Sequence, residues 1–243
     1  LARPDQPLLR ELQLKAPGTY HHSLVVSHMS EEAAHRIGAD ALLCRVGAYY
    51  HDIGKLTNPS LFIENQVDGR NPHDQLDPET SARYILAHST EGVVRAQEAG
   101  LPGRLIDLIA EHHGTTLVRY FYARALERAN GGLRPDASAF RYGGPRPQSK
   151  EAGILMLADS CEAAVRAKRP GSPEEIETVV TRVIDERLAD DELDECPLTL
   201  REVDQVRAAF CNVLHGVYHP RVEYPAIVEP AASGALAGRV ATK

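Results

Sequence analysis

The sequence predicts an all-α fold. Three observations carry that reading: apolar residues recur at three- and four-residue spacing in segment after segment, no convincing run alternates apolar with polar residues as a half-buried strand would, and helix-start signals stand at the segment heads. Asp77-Pro78 and Ser172-Pro173 each put a capping side chain before a first-turn proline. Ser172 with Glu175, and Thr199 with Glu202, have the spacing of a capping box.

Taken in order, helices are expected over 20–37, 40–52, 78–88, 90–99, 102–113, 115–129, 149–168, 173–190 and 199–218. The first carries Val25, Val26, Met29 and Ala33 on one stripe, and the second carries Leu42, Val46 and Tyr50 with Leu43 and Gly47 beside them. Gly54 reads as its C-terminal stop. Ser81 and Ile85 mark the third helix, Ile106 and Ile109 the fifth, which Gly114 closes. Ala152, Leu155 and Ala163 mark the seventh, and Ile176, Val179, Val180, Val183 and Ile184 give the eighth a core-facing stripe. Residues 130–148, rich in Gly, Pro and Arg, read as a long surface loop. No repeat and no long polar linker divides the chain, so one domain is expected over 1–225, followed by a disordered, low-complexity tail over 226–243.

Composition narrows the function. The 243 residues, 43% hydrophobic and 25% charged, describe a soluble globular chain and exclude fibrous, collagen-like and wholly disordered ones. No apolar stretch approaches a membrane span, and no signal-peptide layout stands near Leu1. Because the first residue is Leu1, a domain cut or processed from a longer protein is the expectation. A net charge of -7 argues against duplex nucleic acid as a partner. Cys44, Cys161, Cys196 and Cys211 are too scattered to demand disulfides, which fits a reducing, cytosolic setting.

Eleven histidines are many for this length, and their placement is the informative feature. His22 falls on the apolar stripe of its helix, while His21, His28 and His35 share a polar face and read as solvated. His51 and Asp52 stand at the end of the second helix, His88 at the end of the third, and His112-His113 at the end of the fifth. Asp159 lies on the stripe of Ala152, Leu155 and Ala163, where a lone buried carboxylate costs several kcal/mol without a compensating cation. One histidine on an apolar face is ordinarily a hydrogen-bonded core residue. Five histidines and two aspartates from five helices instead have the composition of a metal site inside a helical bundle. Seven ligands exceed the four of a tetrahedral ion and suit two ions sharing a carboxylate.

The run His51-Asp52-Ile53-Gly54-Lys55, with His22 upstream, His88 and His112-His113 following, and Asp159 downstream, resembles the HD-domain phosphohydrolase superfamily. Within it, PGTYHHS, RVGAYYHDIGK, FIENQ, NPHD, EHHGT, PQSKEA, LADSCEAAVR, LTL and YHPRVEYP resemble the cytoplasmic domain of PgpH-type seven-transmembrane HD proteins, over about residues 8–225. The resemblance implies an HD-domain helical bundle with two divalent transition-metal ions, iron or manganese, in its core. It implies hydrolysis of the second messenger cyclic di-AMP to pApA by a hydroxide bridging the ions. It further implies one ion on His22, His51, Asp52 and Asp159 and the other on Asp52, His88, His112 and His113, with Asp52 shared. Departures from the family are confined to about 130–140 and the tail.

Lys55, one turn past the HD pair, is the candidate to meet a substrate phosphate and to act with Asp52 in catalysis; a surface lysine is its plainer reading. Thr115 is a candidate hydrogen-bond donor to substrate, with an N-cap as the plainer reading. Tyr20, Tyr49 and Tyr50 are candidate base-stacking residues, with core tyrosine the plainer reading. Membrane attachment, through spanning helices upstream of this chain with the domain on the cytosolic face, and homodimerisation are expectations from the resemblance alone. Three rivals differ by visible features. A cyclic di-GMP enzyme of the HD type would show a GYP signature where this chain has HHGTTLVRYFY, a single-metal mononucleotide hydrolase would not need His88 with both His112 and His113, and a nucleotide sensor would have lost a metal ligand.

Overall fold

The computed structural model describes residues 1–3, 5–66 and 69–218. Among them stand nine α-helices: α1 (Pro7–Lys15), α2 (Pro17–Ile37), α3 (Ala41–Tyr50), α4 (Pro78–Glu98), α5 (Gly103–Glu111), α6 (Arg119–Ala129), α7 (Lys150–Lys168), α8 (Pro173–Ala189) and α9 (Leu200–Val217). Extended pairing among the described residues is limited to an antiparallel bridge between Leu117 and Arg141. The all-α expectation holds.

The bundle is organised around α7. From Ala152 to Ala158 every residue of that helix is buried, and a helix apolar on all sides belongs inside. Helices α2, α3, α5, α8 and α9 pack against it. Ile176, Val179, Val180, Val183 and Ile184 on α8 all face the core, as their spacing predicted. A second apolar cluster joins Ala82, Phe121, Tyr122, Ala125 and Phe140 beneath α4 and α6.

Local chemistry accounts for most helix starts. Asp40, Asp77, Ser149, Ser172 and Thr199 each accept a backbone N–H from their own first turn, worth about 1 kcal/mol apiece. The box at Thr199 and Glu202 closes in both directions. At Ser172 the return half shifts by one residue, because Glu175 accepts from the N–H of Gly171 instead.

Several boundaries differ from expectation. α1 was not anticipated: it buries only Leu9 and Leu12 and has no capping side chain. The helices expected over 78–88 and 90–99 are one, α4, because Ser89 and Thr90 turn their hydroxyls back onto the carbonyls of Leu86 and Ala87 without breaking the helix. α6 starts at Arg119 rather than near 115, since the preceding residues pair with the 140–142 strand-like segment through Val118 and Thr116. Gly54 is not an αL stop. It lies in a 3-10 turn (Ile53–Thr57) pressed onto α4, where a Cβ would stand 1.8 Å from the carbonyl oxygen of His88. Nor is 130–148 wholly a surface loop, because a 3-10 turn at Ala137–Phe140 drives Phe140 into the second cluster. The tail over 226–243 lies outside the described residues.

Candidate metal centre

Helix ends and inner faces bring the seven expected residues to one place. His22 comes from α2, His51 and Asp52 from the exit of α3, His88 from α4, His112 and His113 from the exit of α5, and Asp159 from α7. All are buried except His113, which is partly exposed. Their ligand atoms form two groups, His22, His51 and Asp159 in one and Asp52, His88, His112 and His113 in the other, each within 4.8 Å of one another. Asp52 joins the two. Its Oδ2 lies 3.3 Å from Nε2 of His51 and 3.7 Å from Nε2 of His22, while its Oδ1 lies 3.4 Å from Nε2 of His88 and 3.9 Å from that of His112. Asp159 Oδ1 is 3.0 Å from His22 and 3.7 Å from His51, and its Oδ2 is 3.6 Å from His113 Nδ1. Donors about 2.1 Å from one ion and at right angles stand roughly 3 Å apart, so the spacing fits ion coordination.

Proton accounting makes the case stronger. His51, His88 and His112 donate Nδ1–H to the carbonyls of Ala48, Ile85 and Ile109 at 2.7, 2.5 and 2.7 Å, and a carbonyl can only accept. On a neutral ring each Nε2 is then a bare lone pair. Yet Nε2 of His88 faces Nε2 of His112 at 3.3 Å and Nε2 of His113 at 3.1 Å. Nε2 of His51 is buried with no hydrogen-bond partner, and Oδ2 of Asp52 meets Lys55 Nζ at 2.7 Å without hydrogen-bond alignment. Lone pairs turned on one another in a buried site call for a cation between them. The residues fit a divalent metal centre.

The electrostatics agree. Burial alone would raise Asp52 and Asp159, but the facing imidazoles, and Lys55 beside Asp52, hold both well below the usual carboxylate range. Burial opposes a charge on His51, but Asp52 and Asp159 outweigh it and carry its pKa to about 10. Burial and the neighbouring His51 and His88 push His112 down to about 3, and burial with His112 takes His113 well below the ordinary value.

The centre opens into a cavity of about 970 Å³ whose walls include Lys55, Phe62, His88, His113, Tyr142 and Arg166. Lys55 is only partly exposed, contrary to the plainer surface reading, with Nζ 2.7 Å from both Asp52 Oδ2 and Glu64 Oε1. Burial disfavours its charge, but those carboxylates raise its pKa above the ordinary lysine value, while Lys55 in turn holds Glu64 down to about 2. Thr115 is turned elsewhere: its N–H and Oγ1 donate to the buried carboxylate of Glu192 at 2.9 and 2.7 Å. It lines no part of this cavity and caps no helix, because α6 starts four residues later. Tyr50 is core, and Tyr20 and Tyr49 pack against the core; the ring faces at the cavity belong to Phe62 and Tyr142, the latter stacked on His113 at 4.2 Å. His21, His28 and His35 are exposed, as their polar face predicted.

A family model described as HD domain matches residues 19–164, a span that holds all seven donors. The chain belongs to the HD-domain family. Among HD-domain relatives it is 46% identical over 93% of its length to the cyclic-di-AMP phosphodiesterase PgpH of Bacillus subtilis, and 44% identical over 93% to that of Listeria monocytogenes. It spans 31% of the length of either relative. Its fold matches the crystal structure of the L. monocytogenes PgpH HD domain in complex with cyclic-di-AMP, with a TM-score of 0.85 and 42% identity, covering 89% of this chain and 100% of that one. No helix among the described residues is long and apolar enough to cross a membrane.

Three residues at the site escaped the sequence reading. Glu162, bonded to Nδ1 of His22, follows Leu155 and Asp159 at seven and three residues and so sat on a legible stripe. Burial would raise its pKa, but His22, Arg166 and Tyr218 lower it. Glu64 sits in a 3-10 turn and Tyr142 after another, where no periodicity marks a face.

Proposed function

We propose that this domain is a metal-dependent phosphodiesterase that hydrolyses cyclic di-AMP to the linear dinucleotide pApA. The observation that carries the reading is the pair of donor groups joined through Asp52 at the floor of a cavity of about 970 Å³, a size that suits a dinucleotide. Its 42% identity to an HD domain crystallised with cyclic-di-AMP supports the choice of substrate. His22, His51, Asp52 and Asp159 would hold one divalent ion, iron or manganese, and Asp52, His88, His112 and His113 the other. Such ions supply acidification of a nearby water and positive charge opposite the phosphoryl oxygens.

The chain's own residues do the rest. The backbone-bonded imidazoles keep their lone pairs aimed inward, and two oxygens of Asp52 face opposite groups, which fits a shared ligand. Lys55 orients Asp52 and presents a permanent cation to an entering phosphodiester. Phe62 and Tyr142 offer ring faces to a purine, and Arg166 gives the far wall a charge for the second phosphate. Opening one phosphodiester with one water leaves a linear dinucleotide with a single terminal phosphate. Thr115 is given no part in substrate contact, since its hydroxyl is committed to Glu192. On the family resemblance, the domain is further proposed to work as a homodimer on the cytosolic face of a membrane, carried by spanning helices elsewhere in the longer protein.

The test is hydrolysis of cyclic di-AMP, cyclic di-GMP and a linear dinucleotide with added Mn²⁺, products resolved by chromatography. The expected result is pApA from cyclic di-AMP in preference to the others. Equal turnover of cyclic di-GMP would reopen the substrate, and binding without cleavage would make the domain a sensor.

A further inference from the structure

One imidazole of the cluster, His22 in the group with His51 and Asp159, is oriented by a different means from the others. His51, His88 and His112 donate Nδ1–H to a backbone carbonyl three residues back. His22 instead donates to the side chain of Glu162. Glu162 is fully buried and holds two further donors, the Tyr218 hydroxyl at 2.7 Å on Oε1 and Arg166 Nε at 3.2 Å on Oε2. It follows Asp159 by three residues on α7, so both carboxylates present to the same imidazole, one at each of its nitrogens. None of the residues facing Asp52 Oδ1 has such a partner.

A carbonyl behind an imidazole fixes its tautomer and its ring. A carboxylate does both and also adds negative charge that makes the forward nitrogen a stronger donor. We propose that Glu162 is a positioning residue that acts through His22 to make the site of His22, His51 and Asp159 the tighter of two metal sites. This inference rests on the two-ion reading above. It assigns an order of filling: the His22 site first, the three-imidazole site second. Tyr218 and Arg166 hold the Glu162 carboxylate in place, and Arg166 also reaches the cavity wall, so the α7 end of the cavity and the tighter site share one hydrogen-bonded group.

The experiment is titration of the metal-free protein with Mn²⁺, the free ion read by its six-line electron paramagnetic resonance signal. Wild type should bind two Mn²⁺ in distinguishable steps. Glu162→Gln, isosteric but uncharged, should weaken the tighter step by about 10- to 100-fold and leave the other within about threefold. Glu162→Asp keeps the charge with a shorter reach and should fall between them; if the Gln protein does not fold, the Asp protein carries the test. Unchanged binding at both steps, or equal weakening of both, would overturn the role of Glu162 while leaving two ions in place. A wild type that binds fewer than two Mn²⁺ would overturn the two-ion reading, and the inference with it.

Discussion

Two buried polar clusters lie a few residues apart in this bundle and are finished differently. At one, Glu192 is fully buried and both its oxygens receive donors from Thr115. Gly114 adopts φ +51, and a Cβ there would stand 2.3 Å from Glu192 Oε2, so even the glycine serves that contact. That cluster is closed. At the other, the imidazole lone pairs of His88 and His112 face one another at 3.3 Å and His51 Nε2 has no partner. A buried polar group satisfied by its own chain is architecture, whereas a set left unsatisfied in concert is a binding site.

The comparison can be broken or sharpened by substitution. Asp52→Ala removes the residue that both donor groups share, and turnover of cyclic di-AMP should fall by roughly 10³-fold or more, since metal electrostatics supply several kcal/mol. Steady-state kinetics would show it, and full activity would break the account. Lys55→Met should lower kcat by about 10- to 100-fold through loss of one charge-assisted contact. A rise in KM alone would instead confine Lys55 to binding. His112→Gln should reduce bound Mn²⁺ by one equivalent on elemental analysis while leaving the His22 group loaded.

The closed cluster should respond in the opposite manner. Thr115→Val strips a hydroxyl from Glu192, so unfolding in urea should show a loss of about 1–3 kcal/mol with KM for cyclic di-AMP unchanged. A large KM effect would return Thr115 to the substrate. The smallest effect concerns the thiols. All four cysteines are free and buried, and burial pushes Cys196 up to about 11, so an aromatic disulfide reagent should label the native protein slowly and the urea-unfolded protein fast.

Much of this was legible in the sequence because helical periodicity places buried residues well. His22, His88 and Asp159 betrayed themselves by lying among Val, Ile and Leu on stripes that α2, α4 and α7 do bury. Candidate ligands at helix exits, His51, Asp52, His112 and His113, were marked by the turn signals that follow them, although Gly54 acts by close approach and Gly114 by its positive φ. What periodicity could not reach is whatever hangs on irregular backbone. Glu64, Phe140 and Tyr142 are placed by 3-10 turns, whose i to i+3 pattern is too short to declare a face. The bond of Thr115 to Glu192 was hidden for a related reason: its partner is seventy-seven positions away, and only tertiary structure brings them together.

The most direct measurement is anomalous diffraction from crystals of the domain grown with Mn²⁺. Two peaks are predicted, one among His22, His51 and Asp159 and one among His88, His112 and His113, with Asp52 between them. Well-ordered crystals with no anomalous peak inside the cluster would contradict the central claim that these seven residues are a metal centre.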